Sequence, residues 1–222
     1  MKPVLESPPG STIEVGWFDR NRSSIVIMLA STAVALLKLA VGWHTGSLSV
    51  LADATLALAA GARSAYLVAF ADAMEHDDDS RRRLARERIS LAALFALGLL
   101  LVLTGWDLFG AAVVRLVEGS TANPVSVPVL AVLSGLTFIQ LGFFVTARRF
   151  VPKPLIRKRV MRRWVAWTPA ASTVALAALA LREPLPWLDP AGAILLVLCL
   201  VGAVLVLVWE GIVTSVSLGQ AR

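Results

Sequence analysis

The sequence predicts an all-α integral membrane protein with six transmembrane helices. Of the 222 residues, 57% are hydrophobic, and the mean hydropathy is +0.75. A water-soluble domain of this size needs a polar surface that so apolar a chain cannot supply, whereas lipid solvates apolar side chains directly. The apolar residues also fall into separate runs, most of which supply the roughly 20 helical residues that cross a bilayer. These runs are 24–43, 47–71, 89–116, 127–147, 164–181 and 190–213.

The segments outside these runs are short. Residues 1–23 are polar, contain Pro8, Pro9 and Gly10, and mix acidic with basic side chains, which does not fit a signal peptide. We therefore expect a short cytoplasmic N-terminal tail, a membrane domain over 24–215 and a short C-terminal tail over 216–222. No cytoplasmic C-terminal domain is expected.

Basic residues are distributed unequally between the connections. Five arginines lie between the second and third runs, and eight basic residues lie between the fourth and fifth. The opposite connections hold only Arg115 and Arg182. By the positive-inside rule, both basic connections and both termini are cytoplasmic, as in a multi-pass protein of the inner or plasma membrane. This rule also explains the net charge of +6, and since no nucleic-acid-binding motif is present, nucleic acid is not an expected partner.

Local signals add detail to the runs. The first two are separated by a very short segment that ends at Gly46, so they are predicted to form a tight antiparallel hairpin. Pro169 removes one helical hydrogen bond and is predicted to kink the fifth run. Asp189 followed by Pro190 is typical of a helix start, with the aspartate as the N-cap.

Four ionisable residues lie well within the runs: Lys38, Asp53, Arg63 and Asp107. Each costs about 2.5–3.5 kcal/mol at the centre of a membrane helix unless it has a partner or contacts water. Lys38 and Asp53 are equally far from the hairpin turn, so they are expected at matching depth as an ion pair. Asp107 lies at a similar depth and is expected to join them. The group is either a proton or cation relay or a structural pair that fixes helix register; the sequence identifies no partner for Arg63.

Two further patterns each allow two interpretations. Ser134, Thr137 and Gln140 share one helix face, where they either line a pathway or hold helices together. Residues 75–79 contain the side-chain types that bind metals, but the adjacent arginines would pair with them. The single cysteine, Cys199, cannot form an intrachain disulfide.

The segment from Lys38 to Ala54, KLAVGWHTGSLSVLADA, resembles the end of span one and the start of span two in cation diffusion facilitator transporters. Shorter similarities follow in the third, fifth and sixth runs, so the resemblance covers about 24–215. It implies a bundle of six helices, usually dimeric, that exports divalent cations such as zinc in exchange for protons. The expected partners are the lipid bilayer, from the composition, and either a second copy of the chain, from the resemblance, or an unknown membrane protein.

In that family the transported ion is bound by His or Asp side chains of spans two and five. The resemblance places the corresponding positions at Leu56, Ala60, Val165 and Pro169, none of which can bind a metal. We therefore predict a divergent transporter, a cation/proton antiporter without the usual zinc site. The alternative is a relative that does not transport and acts as a membrane scaffold or accessory subunit. No catalytic grouping is recognisable, so neither an enzyme nor a cofactor is expected.

Overall fold

The computed structural model contains six α-helices and, in the residues that it describes, no strand. The helices are α1 (Trp17–Thr45), α2 (Leu48–Glu75), α3 (Ser80–Glu118), α4 (Val127–Phe150), α5 (Lys158–Ala180) and α6 (Leu188–Gln220). The structure describes the backbone of residues 17–75, 80–119, 125–150 and 158–220. It describes side chains over 28–61, most of 92–119, 125–142 and 145, and most of 168–209.

The turn between α1 and α2 is a Schellman motif built on Gly46. This glycine has a φ of 61°, a left-handed conformation that is unstrained only without a Cβ atom. The Ser47 amide donates to the Gly42 carbonyl at 3.1 Å, and the Gly46 amide donates to the Trp43 carbonyl at 3.3 Å. These two hydrogen bonds define the motif, and they fold α1 and α2 into the predicted hairpin. We call this end of the bundle the hairpin end.

Helix α2 lies at the centre of the bundle. It contacts α1, α3, α5 and α6, while α4 contacts α1 and α5. The four helices α1, α2, α5 and α4 therefore form a closed ring of contacts. The core between them is made of small and aliphatic side chains, which let membrane helices approach closely; it includes Val50, Ala52, Leu56, Ala59, Ala171 and Ala175.

Helix α3 packs along α6 through a seven-residue repeat. Among the described side chains of α3, the buried positions are Gly98, Leu101, Gly105 and Ala112. A Cβ atom added at Gly105 would lie 3.3 Å from Leu200 Cδ2, so the two helices approach closely at this glycine. This repeat fixes which face of α3 is turned toward the bundle.

The outward face of α3 presents large apolar side chains. Leu99 is 62% exposed and Val117 is 81% exposed, which fits a lipid environment and not an aqueous one. Three apolar segments are long enough to cross a membrane: Met28–Thr45, Phe95–Glu118 and Leu188–Val206. In the described part of the other helices the apolar segments are shorter: Leu48–Gly61, Val127–Gly142 and Thr168–Ala180. The prediction of an all-helical membrane protein is confirmed, and the count of six spans stays a prediction.

Several helices extend beyond the predicted runs. Helix α3 begins at Ser80, so the arginines between the second and third runs lie on a helix rather than in a loop. Helix α5 begins at Lys158, six residues before the predicted run, and continues through Pro169. Helix α6 begins at Leu188, one residue before Asp189, and the Asp189 carboxylate contacts another helix instead of capping its own. The predicted N-cap role of Asp189 in the sixth helix is therefore wrong.

Candidate functional site

Lys38 and Asp53 form the ion pair that their distance from the turn predicts. Lys38 Nζ lies 2.8 Å from Asp53 Oδ2. Both residues are buried, with exposed fractions of 0% for Lys38 and 2% for Asp53. At a rise of 1.5 Å per residue, the pair lies about 10 Å along the helices from the hairpin turn. The neutral sum of the two charges makes their burial tolerable, because either charge alone would carry a large desolvation cost.

Two more helices contribute oxygen atoms to the same ammonium group. Lys38 Nζ donates to Ser172 Oγ of α5 at 2.6 Å and also to Gln140 Oε1 of α4. A lysine ammonium has three N–H donors, and the three oxygens of Asp53, Gln140 and Ser172 account for all of them. We call these four residues the Lys38 cluster.

The Ser172 hydroxyl is the branching point of the Lys38 cluster. It lies 3.0 Å from Asp53 Oδ1, 2.9 Å from Gln140 Oε1 and 2.9 Å from the Thr168 carbonyl. A hydroxyl carries one proton, so Ser172 donates to one of these acceptors at a time. The proton can therefore change acceptor without any helix moving.

The other residues predicted for this site lie apart from the cluster. Asp107 is exposed on the outward face of α3, so the expectation that it joins Lys38 and Asp53 is wrong. It lies two residues after the buried Gly105, which turns it by about 200° away from the bundle. On α4, Thr137 Oγ1 donates to the Leu133 carbonyl at 2.8 Å, and Ser134 is half-buried. Of the predicted polar stripe on α4, Gln140 is the member that reaches the cluster.

The positions that the sequence resemblance assigns to metal ligands have hydrocarbon side chains where they are described. Leu56 and Pro169 are buried, and Ala60 is half-buried; the Val165 side chain lies outside the described residues. Zinc is bound by nitrogen, sulfur or carboxylate oxygen atoms, which these side chains lack. Within the described residues, no group of three or more His, Cys, Asp or Glu side chains could hold a metal ion. The residues at these positions therefore do not fit zinc as the transported ion.

Two further sequence features fall outside the described side chains. The Arg63 side chain is one of them, so its partner stays open. Residues 76–79 of the acidic run, and the side chains of the adjacent arginines, are the other. The two interpretations of that run stay open as well.

A second buried carboxylate, Asp189, lies at the hairpin end. Its Oδ1 accepts from Ser47 Oγ and Ser49 Oγ, both at 2.6 Å, and from the Ser49 amide at 3.2 Å. Its Oδ2 accepts from the Leu48 amide at 3.2 Å. The first amides of α2 have no partner within the helix, so Asp189 of α6 caps α2. The dipole of α2 also favours a negative charge at this end.

Two arginines donate hydrogen bonds to carbonyl groups of the α1–α2 turn. Arg115, in the last turn of α3, donates to the Gly46 carbonyl. Arg182, just after α5, is 4% exposed and donates to the Thr45 carbonyl at 3.0 Å. We call Asp189, Arg115 and Arg182 the hairpin clamp. The clamp satisfies polar backbone groups that α1 and α2 leave unpaired at their junction.

Sequence reasoning missed Ser172 as a site residue and missed the whole hairpin clamp. Ser172 does carry a signal, since it is a polar residue in the mainly apolar segment 169–180. The two arginines and Asp189 also carry one, because each lies at a predicted membrane boundary on the side with few charges. The sequence does not show that these residues contact the α1–α2 turn, which lies more than 60 positions away in the chain.

A helical bundle with an apolar outer surface and with paired charges inside it defines a multi-pass membrane protein. The comparison with protein families gives the particular class. The family described as the cation efflux transmembrane domain matches residues 24–214. The chain belongs to this family of cation transporters, which confirms the resemblance found in the sequence. A comparison with curated proteins finds no significant match.

Proposed function

We propose that this protein is a divergent cation efflux transporter that exchanges a cation for protons at the Lys38 cluster. The positions at which relatives bind zinc take no part in this exchange. The charge asymmetry of the connections supports a location in the inner or plasma membrane with both termini cytoplasmic. The family resemblance supports assembly as a homodimer.

The observation that carries the proposal is the distribution of the cluster over the helix ring. Lys38 and Asp53 belong to the α1–α2 hairpin, whereas Gln140 and Ser172 belong to α4 and α5. Many transporters open alternately to the two sides of the membrane by rocking one group of helices against another. Any such movement of α1–α2 against α4–α5 separates Lys38 from two of its three acceptors. The ionic state of the cluster is therefore linked to the arrangement of the helices.

The chemistry of the cluster fits an exchange. Ionisable side chains inside a membrane protein mark ion pathways and proton relays in pumps and transporters. The Lys38–Asp53 pair carries one acidic and one basic group side by side, and the Ser172 hydroxyl bridges between its acceptors. Either group can hold or release a proton when the ring opens to water.

A second candidate is a membrane scaffold that does not transport. It is favoured by the complete burial of Lys38 and by the pairing of all three of its donors within the protein. A buried pair of this kind also fixes helix register without any flux.

Flux measurements in liposomes distinguish the two candidates. The purified protein is reconstituted with a pH-sensitive dye inside, and gradients of sodium, potassium or zinc salts are imposed from outside. We expect cation-driven proton movement in the wild type and its loss in Asp53→Asn. Asp107→Asn is the matched control, because this aspartate lies on the same kind of apolar helix but outside the cluster.

The flux results distinguish the two candidate functions once each variant is shown to elute as a folded protein from a sizing column. Flux that persists in Asp53→Asn would move the transport path away from the Lys38 cluster. Absence of flux with every cation in the folded wild type would leave the scaffold as the function.

A further inference from the structure

We propose that the oxygen atoms around Lys38 form a binding site for a monovalent alkali cation, in which the lysine ammonium is a tethered competitor. The proposal deepens the proposed function by naming the class of cation. Its exchange with protons rests on that proposed function. The cation-binding part stands on the geometry of the cluster alone.

The first argument is the type of ligand. The atoms that surround Lys38 Nζ are a carboxylate oxygen of Asp53, an amide oxygen of Gln140 and a hydroxyl oxygen of Ser172. They come from three different helices and converge on one point. Carboxylate, carbonyl and hydroxyl oxygens bind hard cations, whereas zinc prefers nitrogen and sulfur ligands. The ammonium therefore sits where a hard cation of similar charge would bind.

The second argument is the count of charges. Asp53 is the single acidic group among the described side chains of the cluster, and Gln140 and Ser172 are neutral. One carboxylate neutralises one monovalent cation, as it now neutralises one ammonium. A divalent cation would leave an unpaired positive charge in a buried site, which is costly.

The third argument is competition. The ammonium uses the same three oxygens that the cation needs, so both cannot be bound together. The cation enters when Lys38 loses one proton to solution and its neutral amine swings aside. One cation then replaces one proton, and the net charge of the site stays at zero. Of the described groups facing Lys38, Asp53 on α2 is ionisable, while α4 and α5 contribute neutral side chains.

The experiment uses Lys38→Met, which keeps a long unbranched side chain and removes the ammonium. The midpoint of thermal unfolding is measured in detergent against sodium or potassium chloride, with choline chloride at equal ionic strength as the reference. We expect a saturable rise of the midpoint in Lys38→Met, since a ligand that binds only the folded protein stabilises it. The apparent affinity for the alkali cation should be at least about tenfold higher than in the wild type. In the double variant Lys38→Met/Asp53→Asn the rise should disappear.

A second measurement covers the case in which Lys38→Met does not fold. In the wild type, the apparent dissociation constant for sodium should fall as pH rises, since one proton leaves for each cation bound. A dissociation constant that does not change with pH would overturn the exchange.

Other outcomes are equally decisive. A folded Lys38→Met protein that gains no more from sodium or potassium than from choline would overturn the site. Stabilisation by zinc at lower concentration than sodium, dependent on Asp53, would overturn the assignment to monovalent cations. Binding in Lys38→Met without flux in the wild type would sustain this inference and refute transport. Flux that depends on Asp53, without alkali-cation binding in Lys38→Met, would sustain transport and refute this inference.

Discussion

The bundle contains two buried carboxylates that are stabilised in different ways. Asp53 is 2% exposed and faces the full charge of Lys38, together with the Ser172 hydroxyl. Asp189 is 0% exposed and accepts from two amides and two serine hydroxyls at the start of α2. One carboxylate is neutralised by the charge of a lysine side chain, whereas the other accepts hydrogen bonds from backbone amides and serine hydroxyls.

In the proposed function, the difference separates a carboxylate that takes part in the exchange from one that caps a helix. The donors to Asp189 include amides that stay in place as long as α2 is a helix, so no competing ion can replace them. The donors to Asp53 are two side chains, the Lys38 ammonium and the Ser172 hydroxyl, which are not held in place by the helix backbone. Burial alone therefore does not distinguish a structural carboxylate from a functional one; the nature of its partners does.

The largest effect on stability is expected from removing one of the two charges of the Lys38–Asp53 pair. In choline chloride, Lys38→Met should lower the free energy of unfolding by about 3–5 kcal/mol, because a buried carboxylate is left without its counter-charge. Lys38→Met/Asp53→Leu removes both charges and should restore most of this loss. A double-mutant cycle from chemical unfolding in detergent measures the coupling. Losses that simply add would show that the two charges act independently.

An intermediate effect is expected at the helix cap. Asp189→Asn keeps the shape of the side chain but turns an amide NH₂ toward the donors of α2. We expect a loss of about 1–3 kcal/mol, the usual cost of leaving buried polar groups unpaired. Unlike the loss in Lys38→Met, this loss should not be recovered by sodium or potassium. The measurement is the unfolding midpoint, with Glu183→Gln, an exposed neighbour at the same end, as the matched control.

The smallest effect is expected from Asp107→Asn. This carboxylate is exposed on α3, outside both the Lys38 cluster and the hairpin clamp. The variant should therefore unfold at the same midpoint as the wild type and show the same response to alkali cations. A marked loss of stability would mean that Asp107 has a partner within the folded assembly, and cross-linking through a cysteine placed at position 107 would identify it.

The local parts of the fold could be predicted from the sequence, and so could the Lys38–Asp53 pair. The pair follows from counting residues in both directions from the turn, because α1 ends and α2 begins there. The same count gave a depth for Asp107 but not the direction in which it points. That direction was available from the repeat of Gly98, Gly105 and Ala112, which marks the packed face of α3.

The contributions of distant helices could not be predicted. Gln140 and Ser172 reach Lys38 because α4 and α5 pack against the hairpin at a particular rotation and depth. These are set by close contacts over whole helix faces, such as the approach of Gly192 on α6 to Ala178 on α5. A single sequence contains no record of those contacts, so it could not show that Asp189 caps α2 instead of its own helix.

The hairpin clamp has a mechanical consequence. It fastens the first residues of α2 to α6, and the adjoining α1–α2 turn to α3 and to the segment after α5, so this end of α2 can act as a fixed pivot. Helix α2 has 28 residues and is therefore about 40 Å long at 1.5 Å per residue. A tilt of about 5° around the fastened end would carry the far end through roughly 3–4 Å, but would move the Lys38 cluster, about 10 Å from the turn, by only about 1 Å. A small loosening of the ion pair thus corresponds to a wide displacement at the far end of α2.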